Sequence, residues 1–560
     1  MGIVQDGSTL SNNPFIPPPD GSSPISRLPP EILSHIFEHG VLSEDDAHDS
    51  DEISAQFWND FGDMDKTEHE GEDGDLHSAS ASDSDWESEE SDSDESDDAD
   101  DCPPFQILVS HVSRHWRTVA LETPSLWTRI DVSYDDRPPY GRVATYLERS
   151  KSLPLHIRID FEPPDDDFYV DEEGPRPLFG TDILELFMLL IPYVPRWGSV
   201  RVDVTSYEHM YTFLETISAP SIPPATQLQV LQLYHHEDME TDEPFTFAKP
   251  ELSTHFTPFG GFAPHLRNVA LWGVHIDWSL PWLRSAPNLT DLELAFHSKD
   301  VRPSWAAFSA MLRGAPALET LSLRASGPSG PPLGWIIDPS VAGWSEGINS
   351  PIFLGNLSEL DLAFMPPFHA ISLLRKLCTP TLKKLTLDFD DGDYTDFVTQ
   401  LAGPATLMAP LSSDQPRSLL RSLESLKVAG LPCSDDSVNL LYRELVNLKS
   451  LNLSLTYLPR SFIQALFETP YTILPALTTL YVSGIAGEDL RRLVSQRKSA
   501  GVPLITVYME ESSEIAPDDV IWLRDNLEVF DFFEGSDDED VDVIGSVAED
   551  EANGDWSDVE

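Results

Sequence analysis

Four histidines stand in two pairs at i, i+4 spacing, His35 with His39 and His111 with His115. On a helix that spacing puts two imidazoles on one face, where they could share a zinc ion. The pattern fixes no cysteine or carboxylate beside either pair, and polar helix faces account for them as well. A second chemistry is suggested by serines with an acid three residues on: Ser82-Asp-Ser-Asp, Ser84-Asp-Trp-Glu, Ser91-Asp-Ser-Asp and Ser536-Asp-Asp-Glu. These suit kinases that read downstream acids, and a phosphate would deepen the local charge. The same acidic runs would also serve as solubilising disorder, or as a surface for basic proteins such as histones. A glycine-rich phosphate loop, His-Glu-x-x-His and Gly-x-Ser-x-Gly are all missing. The expectation is a chain that is not an enzyme and takes no cofactor and no metal.

Charge narrows the partners. The formal net charge is −61 over 560 residues. Residues 43–101 hold 26 Asp or Glu against the single Lys66, and residues 531–560 hold 13 with no Lys or Arg. A chain this negative repels phosphate backbones, so no nucleic acid is expected as a partner. The three cysteines, Cys102, Cys378 and Cys433, have neither disulfide-framework nor zinc spacing. They fit a reducing compartment, cytoplasm or nucleus. The first residues lack the basic-then-apolar pattern of a signal peptide, and no run of about 18 apolar residues appears, so no membrane is expected.

The elements that carry the histidine pairs come next. Leu28-Pro-Pro-Glu-Ile-Leu-Ser-His-Ile-Phe37 reads as a helix opened by Pro29 and Pro30, where no backbone donor is missed. Ile32, Leu33, Ile36 and Phe37 share one side, and Gly40 is the expected stop. A second helix is expected from Phe105 through Ala120, with Leu108, Val109, Val112, Trp116 and Val119 at helical spacing over four turns. Pro124 should end it, with Leu126 and Trp127 folding back. A further helix is expected near 140–151, and strands at Leu155–Asp160 and Val200–Val204.

From there one template recurs, Leu-x-x-Leu-x-Leu with Val tolerated. It starts at Leu228, Leu266, Leu289, Leu318, Leu357, Leu382, Leu423, Leu448 and Leu477. The steps between starts run from 23 to 41 residues. Each step fits one strand plus a helical or irregular return, the longer ones with inserted loops. The expected fold class is α/β. An N-terminal helical module (27–42 and 103–130) is split by an acidic disordered insert (43–102). An irregular leucine-rich-repeat solenoid with a parallel β-sheet (131–532) follows. Residues 1–26 and 533–560 are expected to be disordered, and Val529-Phe-Asp-Phe-Phe533 to close the last repeat.

The two helical segments, with Val112-Ser-Arg-His-Trp-Arg-Thr-Val-Ala-Leu121 and Thr123-Pro-Ser-Leu-Trp127, resemble the F-box. The form is that found ahead of irregular leucine-rich repeats in the large families of mushroom-forming fungi. The resemblance implies a substrate-recruiting subunit of a cullin-RING (SCF-type) ubiquitin ligase. The box would hold a Skp-type adaptor, and the repeats an unknown substrate protein. The matching box positions are Leu28, Pro29, Pro30, Ile32, Leu33, Ile36, Val109, Val112 and Trp116. Some must pack the box itself, and the sequence does not divide the two roles. Two departures stand out. An acidic stretch of about sixty residues replaces a short connection, and Val274, His297, Ser326, Met365 and Thr456 stand where such repeats usually carry Asn or Cys. The different-class alternative is a plain repeat scaffold, or an acidic chaperone for basic proteins, with a vestigial box.

In such repeats the residues alternating with the leucines face outward on the concave side. This selects Asp291, Glu293, Arg324, Glu359, Asp361, Lys384, Lys427 and Tyr481 as the substrate face. Their order suggests a gradient from acidic to basic along the array.

Overall fold

The computed structural model describes residues 28–43, 103–163, 178–235, 252–335, 351–403, 418–467, 473–511, 513 and 515–533. The segments expected to be disordered, the four serine motifs and Cys102 lie outside these residues, except for the boundary residues Ser43 and Phe533.

Helix α1 spans residues 30–43. The amides of Ile32 and Leu33 donate to the Pro29 carbonyl, so the proline pair opens the first turn. Leu33, Phe37 and Val41 are buried, one per turn, and define the inward stripe. Gly40 does not stop the helix. A Cβ there would sit 2.2 Å from the Phe105 ring, so the glycine serves close approach.

The expected second helix is two. Helix α2 is Phe105–Val112 and α3 is Arg114–Glu122. Between them Ser113 is extended, at φ −157°, and its hydroxyl accepts from the Trp116 amide. A serine offers the backbone this alternative to the helical bond, and here it caps α3. Pro124–Trp127 form a short 3-10 turn in which Leu126 and Trp127 are buried, and the Trp127 indole donates to the Ala120 carbonyl at 2.9 Å.

Among the described residues fourteen parallel strands follow in one sheet: β1 (Arg129–Val132), β2 (Leu155–Phe161), β3 (Trp197–Val204), β4 (Val230–His235), β5 (Asn268–Trp272), β6 (Asp291–Ala295), β7 (Thr320–Arg324), β9 (Glu359–Ala363), β11 (Lys384–Asp388), β12 (Ser425–Gly430), β13 (Ser450–Ser454), β14 (Thr479–Ser483), β15 (Thr506–Glu510) and β16 (Val529–Phe533). Strands β8 (Ile352–Phe353) and β10 (Leu377–Cys378) make a separate two-stranded pair. The large sheet runs in chain order, as a solenoid requires. All nine template repeats end in one of its strands. The template's second and third apolar residues, such as Leu292 and Leu294 or Leu451 and Leu453, are buried. Helices return along the other layer, from α4 (Gly141–Arg149) to α14 (Pro517–Asn526).

One hydrophobic core runs from Leu33 in α1 to Phe530 in β16. The joint is Trp127. It ends the helical module and also precedes Ile130 and Val132 at repeat spacing, so β1 is the first repeat strand. Its ring meets Tyr146 of α4 edge-on at 5.1 Å, and the Arg149 guanidinium lies 4.4 Å from the ring centre. The module is therefore fused to the solenoid.

Candidate docking surfaces

The halves on either side of the acidic insert come together. Phe37 packs on Trp116 with ring centres 5.1 Å apart. Ser34 and Thr123 share a 2.9 Å hydroxyl bond, and the Ser125 hydroxyl donates to Glu38 at 2.6 Å. Gly40 meets Phe105. Contacts thus tie α1 to α2, to α3 and to the Pro124 turn. Loop-closure cost grows only with the logarithm of length, so going from about 10 to about 60 residues adds roughly 1.5 kcal/mol. The buried contacts of Leu33, Phe37, Val109, Val119 and Trp127 offset that.

The nine box positions divide. Leu33 and Val109 are buried in the core. Leu28 and Trp116 are half-buried against it. Pro29 and Pro30 are exposed. Ile32, Ile36 and Val112 are large apolar side chains left 47, 42 and 62 % exposed. Leu108, one turn before Val112 on α2, is 43 % exposed and belongs with them. Its helical spacing is visible in the sequence, but it is not among the matching box positions. Ile32 with Ile36, and Leu108 with Val112, form two i, i+4 stripes that the described residues leave partly exposed. Exposed apolar stripes on a small packed module are the usual mark of an interaction site.

The histidine pairs do not converge. His35 bonds Glu38 at 3.1 Å on an exposed surface, and His39, His111 and His115 are exposed. Among the described residues no group of three or more His, Cys, Asp or Glu could hold a metal ion. No helix among them is long and apolar enough to cross a membrane.

On the sheet, the residues that alternate with the leucines stand in register. Glu293, Ser322, Asp361, Thr386, Lys427, Asn452 and Tyr481 form one row across β6, β7, β9, β11, β12, β13 and β14. Asp291, Thr320, Glu359 and Lys384 form a parallel row. The charge gradient is not free in the way the sequence suggested. Lys384 pairs with Glu359 at 3.0 Å, and Arg324 pairs with Asp361 at 3.0 Å, where the Ser322 hydroxyl also donates. Arg324 and Lys427 are buried. In-register neighbours sit about 4.8 Å apart, so opposite charges meet each other across strands before they reach solvent. Tyr481 stacks on Tyr508 of β15 at 4.7 Å and 15°, half-exposed.

Asp388, at the end of β11 and absent from the expected set, is buried among these charges. Its carboxyl is pushed up to about 7, first by burial, then by the like charge of Asp390. Asp361 raises it further, while Arg324 and Lys427 oppose. Of the residues that replace the usual Asn or Cys, Val274, His297, Ser326 and Met365 are buried and Thr456 is exposed. The His297 ring bonds the Ser326 hydroxyl at 2.9 Å, and the Met365 carbonyl accepts from Tyr394 at 2.8 Å. Side-chain bonds from repeat to repeat thus occupy that turn.

No family model and no curated protein matches this chain. Among solved structures it is similar to the yeast complex of Rad7 and Elc1, at 14 % identity and a TM-score of 0.27. That match covers 63 % of this chain and 88 % of the other.

Proposed function

We propose that this chain is a substrate-recruiting F-box subunit of an SCF-type cullin-RING ubiquitin ligase. The helical module would hold a Skp-type adaptor, and the repeat sheet a protein substrate. The observation that carries this reading is the pair of exposed apolar stripes, Ile32 with Ile36 and Leu108 with Val112, on a module whose own core is filled by Leu33, Phe37, Val109 and Trp127. Pro29 and Pro30, exposed at the start of α1, border the first stripe. The chain would act by proximity. One end holds the ligase core and the other holds the substrate, which raises the local concentration of acceptor lysines. Catalysis belongs to the partners, and this chain supplies no reacting group.

Capture of the full-length protein from a cell extract, followed by mass spectrometry, tests the reading. A Skp-type adaptor and a cullin should be recovered. Recovery of histones or other basic proteins in a salt-sensitive manner, without a cullin, would replace it with an acidic scaffold whose box is vestigial.

A further inference from the structure

A groove of about 370 Å³ opens in the helix layer. It is lined by Phe467 at the end of α12 (Ser461–Phe467) and by Ser495, Gln496, Ser499 and Ala500 at the end of α13 (Gly487–Ser499). Ligand pockets run from about 300 to 1,000 Å³, so this one suits a single large side chain rather than a cofactor. Its wall is mainly apolar. The Ser495 and Ser499 hydroxyls donate to the Arg491 and Ser495 carbonyls, one turn back, which spends their polar ends on the helix. Gln496 differs, because its Oε1 is shielded from water and has no donor among the described residues. The last torsion of a glutamine is soft, so a small turn offers that oxygen to a ligand N–H.

Charge selects the occupant. Residues 490–500 carry Arg491, Arg492, Arg497 and Lys498 and no carboxylate, in a chain of net charge −61. The two acids of α13, Glu488 and Asp489, stand in its first turn. Among the described residues only Arg491 of these four cations has an acidic partner, Asp519 at 2.9 Å. Arg492 lies over the Phe467 ring, 4.8 Å from its centre. Lys498 bonds the neutral Asn526 at 3.0 Å. Arg497 is 1 % exposed and donates to the Leu474 and Leu477 carbonyls, with Nε and Nη1 unpaired. Three cations without counter-charge at one end of a helix make a local positive field. An acidic segment that carries one aromatic ring matches both the groove and the field.

The chain has such a segment. Residues 534–560 hold 12 Asp or Glu, no Lys or Arg, and one aromatic residue, Trp556, with Asp555 and Asp558 beside it. The segment starts close by. Arg491–Asp519 and Lys498–Asn526 tie α13 to α14, and β16 follows α14 after two residues and ends at Phe533. One strand length and one helix spacing put the groove about 20 Å from that point. A flexible chain of the 23 residues from Glu534 to Trp556 spans about 26 Å. Trp86, between Asp85 and Glu87, is the nearest equivalent, but its segment joins α1 to α2 at the other end of the sheet.

We propose that the acidic C-terminal segment docks on its own chain, with the Trp556 ring in the groove against Phe467 and with Asp555 and Asp558 held by Arg492 and Lys498. The indole N–H donates to Gln496 Oε1. The tether gives an effective concentration of about 1 mM, so a contact with a dissociation constant of about 0.1 mM is closed about nine-tenths of the time. A partner that uses this face of the repeats must displace the segment. The proposal stands apart from the ligase reading.

The test titrates a fluorescein-labelled peptide of residues 545–560 into full-length Trp556→Ala, whose own tail lacks the ring, and reads anisotropy. The peptide should bind with a dissociation constant of about 0.1 mM. The native chain, whose groove is filled from within, should bind it about tenfold more weakly. In the Trp556→Ala background, Arg492→Gln should weaken the peptide about threefold. Ser499→Phe, which fills the groove from an exposed position, should abolish binding, and thermal melts check that both variants fold. No binding up to about 1 mM, or equal binding by the native chain and Trp556→Ala, would overturn the proposal. Tighter binding of a peptide of residues 79–93 would give the groove to the Trp86 segment instead, which also overturns it. Weakening that grows with the concentration of the native chain would place the tail on a second copy and refute docking within one chain. No adaptor is present in any arm, so adaptor capture succeeds or fails separately.

Discussion

Replacing Ile32, Ile36 and Val112 together by serine should abolish adaptor capture while leaving the fold untouched. Fully burying an aliphatic side chain of this size stabilises by about 2 kcal/mol. These three retain 47, 42 and 62 % of their surface in the free protein, so a partner that covers them gains about 1 kcal/mol from each. Loss of all three then costs about 3 kcal/mol, roughly 150-fold in affinity. Truncation at the surface leaves no cavity, so the melting temperature should stay within a degree or two. The contrasting variant is Leu33→Ala. Its side chain is fully buried beside Phe37, and a cavity there costs about 2–5 kcal/mol. It would lose adaptor binding by unfolding the module. Calorimetric titration of a purified Skp-type adaptor, with thermal melts of each variant, separates the two routes. A triple variant that binds the adaptor as tightly as the native chain refutes the assignment. So does one that melts far below it, because the three side chains would then be structural.

The remaining predictions concern stability. Arg324→Met leaves Asp361 charged and largely buried without its cation, and should destabilise by about 3 kcal/mol in a urea titration; no change would mean that the pair is solvated. The Asp388 carboxyl is pushed up to about 7 in the folded chain, against about 3.9 unfolded. Folding therefore favours its protonated form, and that stability is complete below about pH 4 and lost as pH rises to 7. Asp388→Asn should remove this fall, so melts at pH 5 and pH 8 should differ less than in the native chain. Replacing residues 46–100 by a ten-residue Gly-Ser linker should stabilise the helical module by about 1.5 kcal/mol, from loop closure alone. Destabilisation, read from Trp116 fluorescence, would show that the insert contributes packing.

Most of the fold was legible because a solenoid repeats one local rule. A leucine every second residue must face the core of each strand, and nine copies of the template marked nine strands. Strands β1, β15 and β16 follow the same rule with other residues, Trp127-x-x-Ile130-x-Val132, Leu504-x-x-Val507-x-Met509 and Leu527-x-x-Phe530-x-Phe532. A template restricted to Leu and Val passed over β1 and β15, and β16 was found only as a closing segment. The break at Ser113 was missed because apolar spacing ran through it, while a single hydroxyl bond decided the backbone there.

The candidate sites were legible in part. Periodicity placed Ile32, Leu33, Ile36 and Phe37 on one side of a helix, which is right to within a turn. It could not say that Leu33 and Phe37 face in while Ile32 and Ile36 face out, because residues one apart differ by 100° and only the packed neighbours choose between them. On the sheet, alternation separated Asp361 and Lys384 from the buried leucines beside them. It could not show that Glu359 meets Lys384 or that Arg324 meets Asp361, since these partners are 25 and 37 residues apart.

By itself the sequence determined the repeat array, the helical module, the uneven charge and the missing catalytic motifs, because each is a matter of local period or composition. The tertiary structure decided the closure of the module across its insert, the sorting of its apolar residues into core and surface, and the burial of Asp388 among the charges of Arg324, Asp361 and Lys427. These depend on which strands and helices become neighbours, and the register between neighbours is not written in any one segment.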